Sequence, residues 1–257
     1  KNTRYVLSFS AAIFFMQAGI IAEDLIQNNV YIPESLHELL DMEWSKTLQD
    51  KSREKIATMM FDQGQPIIHE ESDEEKRYFI QEAGKRKSES EKLKFIKNNK
   101  SINIHGRDDI QLQDLFGICD YDALSIAVHQ DFTLVAFEPL LIAMSQKELL
   151  NFQCTGIVDF LCVTDFPLDK ILKVICFMAK CKFEKILSDE IISVLIQKFD
   201  EVESDEEREK CMTLWFEFFD VLDKKEDESE YKGLFVQNVL IALQAYLRKG
   251  GSEQEIR

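Results

Sequence analysis

The chain has 257 residues, 45% of them apolar, with 19 Phe and a formal charge of −16. That length and apolar content allow one large domain or two modest ones with a sizeable core. The acidic balance excludes blanket attraction to nucleic acid or anionic membranes, except where positive charge is concentrated locally.

The chain opens on Tyr5-Val-Leu7, an apolar run consistent with a central parallel strand. Ser8-Phe9-Ser10 follows as a polar break, then a helix from Ala11 to Gln17. The wider apolar run Tyr5 to Ile21 contains Ser8, Ser10 and Gln17 and lacks a stop-transfer flank, so it reads as buried strand and helix with no membrane segment. A helix from Ile20 to Ile26, a strand Val30-Tyr31-Ile32 and a helix started by Pro33 complete a strand-helix-strand-helix unit, with Glu38 one turn inside the last helix.

Residues 42 to 106 are expected to form a charged helical insertion. Ser72 with Glu75 has the capping-box spacing and opens a helix through Gly84. Between Lys76 and Arg107 there are ten Lys and Arg against three Glu, a surplus of +7 that leaves −23 for the rest of the chain. Such a segment either follows a phosphate backbone, through Lys85, Arg86, Lys87, Lys92, Lys94 and Lys97, or is a solvated insertion whose lysines keep it soluble.

Phe116 to Met144 reads as a loop containing Asp120, a helix with Asp122 at its start, an apolar strand Phe132 to Ala136, Glu138 at the strand exit and a helix opened by Pro139. Two acids at the rim of a parallel sheet are candidates for holding a hard cation; Asp122 as an ordinary helix cap is the simpler alternative. Beyond Thr155 to Leu161, the signals are helical: Leu168 to Lys182, Ser188 to Phe199, Asp205 to Leu222 and Glu230 to Leu247. The Leu214 to Leu222 stretch is apolar on more than one face, which suits central burial or a partner.

Six cysteines, at 119, 154, 162, 176, 181 and 211, have no CxxC pair and no histidine in zinc-ligand spacing, so they read as buried thiols of a reducing, cytoplasmic compartment. His37, His69, His105 and His129 are scattered, and no GxGxxG, GxxxxGK[ST] or GxSxG motif occurs.

Four pieces, in order, resemble PIN-like domains: YVLSFSAAIFF the first strand and helix, VYIPESLHELL the second strand and the helix carrying an acidic ligand, YDALSIAVHQDFTLVAFEPLLIAM the third segment, and TGIVDFL the closing one. The resemblance implies a three-layer α/β/α sandwich around a parallel sheet over residues 1–164; the helical signals beyond it give an all-α region at 165–250, and the polar end a disordered tail at 251–257. It also implies a metal-dependent endoribonuclease ancestry, with Mg2+ or Mn2+ held by Glu38, Asp122 and Glu138 as catalytic ligands and Asp120 nearby.

The family's first acid falls on Ser8, and its last Thr-acid pair on Ala136 with Phe137 or Glu138. Losing a ligating carboxylate removes a ligand and a charge together. The expectation is a degenerate PIN-like domain acting as a module for nucleic acid or protein, the protein partner held by the C-terminal helices. The alternative is a Mg2+- or Mn2+-dependent endoribonuclease with a reduced cluster. A third reading is a helical interaction protein whose first half only mimics the family.

Overall fold

A computed structural model describes residues 3–52, 57–62, 65–102, 109–146, 151–181 and 189–223. The chain divides into two compact units between Thr155 and Gly156, earlier than the boundary at 164 expected from the sequence.

The first unit is α/β. Strands β1 (Tyr5–Leu7), β2 (Val30–Pro33), β5 (Lys94–Ile96), β6 (Thr133–Ala136) and β7 (Gln153–Gly156) form a sheet in the order β5-β2-β1-β6-β7. The β1–β2, β1–β6 and β2–β5 pairings are parallel, with Val6 opposite Tyr31 and Leu134. Neighbouring residues of a strand point to opposite faces. Val6 and Leu7 are both fully buried, as are Leu134 and Val135, so the central strands are covered on both faces. This is why the strands read as continuous apolar runs with no alternation.

Helices α1 (Phe9–Gln17), α2 (Ala22–Gln27), α3 (Glu34–Lys51), α4 (Asp73–Lys92), α5 (Asp109–Phe116), α6 (Ile118–Gln130) and α7 (Pro139–Gln146) connect and cover the strands. On the face of Val6 and Leu134, the core gathers Ala123, Leu124 and Ala127 of α6 with Leu112 of α5 and Leu141 of α7. The α5 to α6 break falls on Gly117, whose φ of +81° is open to glycine at low cost.

Two features of the insertion differ from the sequence expectation of a helical segment. Residues Ala57–Asp62 (β3) and Gln65–Glu70 (β4) form an antiparallel hairpin in a separate two-stranded sheet, with Met59 opposite Ile68 and Met60 opposite Ile67. The run of Met and Phe is compatible with helix or strand; Thr58, Ile67 and Ile68 and the pairing partner decide for strand. The chain after α4 also adds β5 to the edge of the main sheet.

The hairpin is followed by the expected capping box. Ser72 N donates to Glu75 Oε2 at 2.7 Å and Glu75 N to Ser72 Oγ at 3.2 Å. Helix α4 lies along α3, and a Cβ built on Gly84 would stand 3.0 Å from the Trp44 ring.

The second unit is helical: α8 (Ile157–Val163), α9 (Leu168–Lys180), α10 (Asp189–Asp200) and α11 (Asp205–Asp223). Ile171, Val174, Ile175 and Leu195 are buried, with Phe218 of α11. Helix α11 is not wholly central, because Phe216 is 65% exposed. The sequence-expected helix from Glu230 to Leu247 and the tail at 251–257 lie outside the described residues. Among the described residues no helix is long and apolar enough to cross a membrane.

All six cysteines are free thiols; Cys119, Cys162, Cys176 and Cys211 are buried, Cys154 is half-buried, and Cys181 is exposed, unlike the expectation for a buried set.

Candidate functional site

Strand order reverses at β1: the chain runs outward to β2 and β5 on one side, then returns to β6 and β7 on the other. In open α/β sheets the crevice beyond the carboxyl ends of the strands at such a point is the usual ligand position. The residues leaving β1 and β6 there are Ser8 and Phe137-Glu138.

Ser8 is fully buried and committed to the backbone. Its N–H donates to Val135 O at 2.9 Å, extending the β1–β6 ladder, and its Oγ accepts from Ala11 N at 3.2 Å, capping α1. The next orphan donor of α1, Phe9 N–H, donates to Asp120 Oδ1 at 2.6 Å. Asp120 therefore occupies the rim from the first turn of α6, not from a loop as the sequence implied.

Asp120 is 8% exposed. Burial pushes its carboxyl up to about 6; the Phe9 N–H opposes that rise, and the negative charge of Glu138 adds to it. Glu138 approaches from the β6 exit. Its Oε2 accepts from Phe137 N at 3.2 Å, while its Oε1 is buried without a hydrogen-bond partner. The same charge reaches Cys154, whose thiol is pushed up to about 12, mainly by burial. Thus the structure brings Ser8, Asp120 and Glu138 to one place at the strand-order reversal.

The other nominated acids are engaged differently. Asp122 lies within α6, a turn past its start, and its Oδ1 accepts from Asn98 Nδ2 at 2.8 Å. Asn98 Oδ1 in turn accepts from Lys100 N at 3.0 Å, and Tyr121 Oη accepts from Ile102 N at 3.2 Å, so this side of α6 stitches down the chain that follows β5. Glu38 is exposed on α3, one turn inside the helix as expected. Its neighbours Leu36 and Leu40 take the buried face.

Among the described residues no group of three His, Cys, Asp or Glu side chains is placed to hold a metal ion. A hard divalent cation needs several oxygen ligands. The rim offers two carboxylates, each with one oxygen already serving a backbone N–H, of Phe9 and of Phe137, and a serine hydroxyl turned to a helix cap. By themselves these residues do not make up the oxygen set of a Mg2+ or Mn2+ site of the kind the resemblance implies, and among the described residues Glu38, Asp122 and Glu138 do not form one group.

The basic segment is also largely spoken for. Arg86 Nη2 lies 2.5 Å from Glu43 Oε1, Lys87 Nζ 2.6 Å from Asp41 Oδ1, Lys92 Nζ 2.8 Å from Glu89 Oε1 and Lys97 Nζ 3.2 Å from Glu34 Oε2. The hydrogen bond from Lys87 lowers the Asp41 carboxyl and raises the lysine in return. Lys85 and Lys94 are exposed; the latter's Nζ lies 5.9 Å from the Tyr31 ring centre. The aromatic residues Phe79 and Phe95 touch neighbours while remaining exposed, and Tyr78 is exposed too: Phe79 lies 4.6 Å from Lys51 Nζ, and Phe95 stacks on His37 at 5.3 Å. The sequence could have hinted at this, since Glu34, Asp41 and Glu43 recur on the helix that α4 must pack against.

No protein-family model, curated protein or solved structure matches the chain.

Proposed function

We propose that the first unit is a degenerate PIN-like scaffold serving as a binding or regulatory module, with protein favoured over nucleic acid as its partner. The observation that carries this reading is the commitment of the candidate groups to protein donors: at the rim Ser8 caps Ala11 N–H and Asp120 takes Phe9 N–H, and further along α6 Asp122 takes Asn98. Groups that would ligate an ion in an active relative instead tie α1 and α6 to the sheet. The pairing of Arg86, Lys87, Lys92 and Lys97 argues the same way, because a basic side chain paired with a neighbouring carboxylate gains less on meeting phosphate.

One observation favours the second reading, a weak metal-dependent endoribonuclease. Glu138 Oε1 is buried and unpartnered beside a carboxyl raised to about 6, the kind of uncompensated charge that a cation relieves.

A Mn2+ titration followed by thermal melting separates the two. A ligand that binds only the native state raises its midpoint, by free energy of about 1.4 kcal/mol at tenfold over Kd. The module reading expects an unmoved midpoint at millimolar Mn2+ and labelled RNA left uncut. A raised midpoint together with RNA cleavage that is lost in Glu138→Gln would overturn it and establish the enzyme.

A further inference from the structure

Strand β5 closes one side of the main sheet, with β2 as its neighbour strand among the described residues. Tyr31, Ile32 and Pro33 of β2 stand opposite Lys94, Phe95 and Ile96, so the other side of β5 turns backbone N–H and C=O groups toward no described strand. Lys94 and Phe95 are exposed and Ile96 is half-buried. Phe95 stacks on His37 with ring centres 5.3 Å apart, and is still 51% exposed.

Residues 92–100 hold four lysines and no acid. Lys92 and Lys97 have carboxylate partners, Glu89 and Glu34, whereas Lys94 and Lys100 have no ion pair among the described residues. Lysine on an edge strand deters neutral and like-charged strands. It deters a second copy of this chain as well, because pairing β5 with β5 brings lysines together across one short ladder. Guarding an edge calls for charge, not for a half-exposed aromatic at the middle of the strand, and that aromatic is what the lysines flank.

We propose that the β5 edge takes an extended acidic segment of a protein partner as an added strand. Main-chain bonds to the free edge align the segment, and its alternate side chains are the ones selected. An acidic residue lies across from Lys94 on one face of the sheet, and an apolar residue lies beside Phe95 on the other, as strand alternation requires. Charge complementarity carries the choice of partner: the chain as a whole is at −16, so an acidic segment is drawn only where positive charge is concentrated. The inference rests on the protein-binding reading above and names the partner's chemistry.

The experiment uses the full chain and two fluorescein-labelled nonapeptides, one alternating aspartate with valine and phenylalanine, the other carrying lysine in place of each aspartate. Binding is read by fluorescence polarisation, and its place by hydrogen exchange of the β5 amides. The acidic peptide binds about tenfold or more tightly than the lysine peptide and slows exchange at Lys94–Ile96. Lys94→Glu combined with Phe95→Thr, which keeps a good strand former at the aromatic's position, weakens the acidic peptide by about tenfold. Lys94→Glu alone breaks no ion pair and weakens it in the same direction, so the test stands even if the double variant loses its fold by circular dichroism.

Equal or tighter binding of the lysine peptide, no binding of the acidic one, unslowed β5 exchange, or acidic binding that survives Lys94→Glu overturns the proposal. Dimerisation of the parent that is lost in the variants also overturns it and assigns the edge to a second copy, and single-stranded RNA that slows β5 exchange assigns it to nucleic acid. Mn2+-dependent RNA cleavage would remove the module reading of the first unit without touching any of these peptide results, so the two failures are told apart.

Discussion

At the scale of single residues, the rim turns on Asp120, a carboxyl that the fold buries beside another one. An acid held at about 6 in the folded chain against an ordinary aspartate value of 3.8 binds more protons folded than unfolded between those two values. Stability contributed by this group is therefore highest below about pH 4 and is lost as pH rises through about 6, a swing of up to about 3 kcal/mol at roughly 1.4 kcal/mol per pKa unit. Asp120→Asn keeps an oxygen for Phe9 N–H, removes the repulsion, and brings an amide donor toward the unpartnered Glu138 Oε1. The variant is expected to be more stable than the parent at pH 7 by about 1–3 kcal/mol and to lose the difference by pH 4, read by urea unfolding at the two pH values. A variant less stable than the parent at pH 7 would show that the carboxylate's bond to α1 outweighs its burial cost. The positions of Ser8 and Glu138 were legible in the sequence because each follows an apolar strand at its end. The exchange of roles between Asp120 and Asp122 was not, since Asp122 resembles a cap while the helix starts earlier, at a glycine with φ of +81°.

Among the elements, α3 and α4 pack closely where Gly84 meets the Trp44 ring. Alanine is the better helix former by about 1 kcal/mol, yet its methyl would stand 3.0 Å from the Trp44 ring, and overpacking costs about 1–3 kcal/mol. Gly84→Ala is accordingly expected to lower stability by up to about 2 kcal/mol, whereas on a Trp44→Leu background, with the ring gone, the same change should raise it. If alanine stabilises the parent chain too, the ring shifts freely and the contact sets nothing. At the other end of α4, Ser72→Ala removes the reciprocal cap and should cost about 1 kcal/mol in thermal or urea unfolding. The cap, the three C-terminal helix starts near Leu168, Asp189 and Asp205, and the apolar strands could all be read from local patterns. The β3–β4 hairpin and β5 could not, because a three- or six-residue strand is chosen by the partner it pairs with, and pairing partners are not written in a local window.

For the whole molecule, charge is decided by what packs opposite what, which a count along the chain does not hold. The +7 surplus between Lys76 and Arg107 looked like a basic face, but folding sets Arg86 and Lys87 against Glu43 and Asp41. Reversing Lys85, Arg86 and Lys87 to glutamate therefore separates a stabilising role from a nucleic-acid role. Each reversal changes the charge by two, taking the formal value from −16 to −22, and places new carboxylates beside the acids of α3. If these residues hold α4 on α3, the triple variant melts lower than the parent, and the deficit shrinks in 0.5–1 M NaCl because the screening length contracts from about 10 Å at 0.1 M salt to about 3 Å at 1 M. RNA affinity stays where it was. If they contact phosphate instead, the melting point scarcely moves, while RNA binding falls and its dependence on salt becomes shallower by about one unit of log–log slope for each contact removed. The paired geometry favours the first outcome, since a guanidinium already 2.5 Å from a carboxylate must give up that bond before it can neutralise a phosphate.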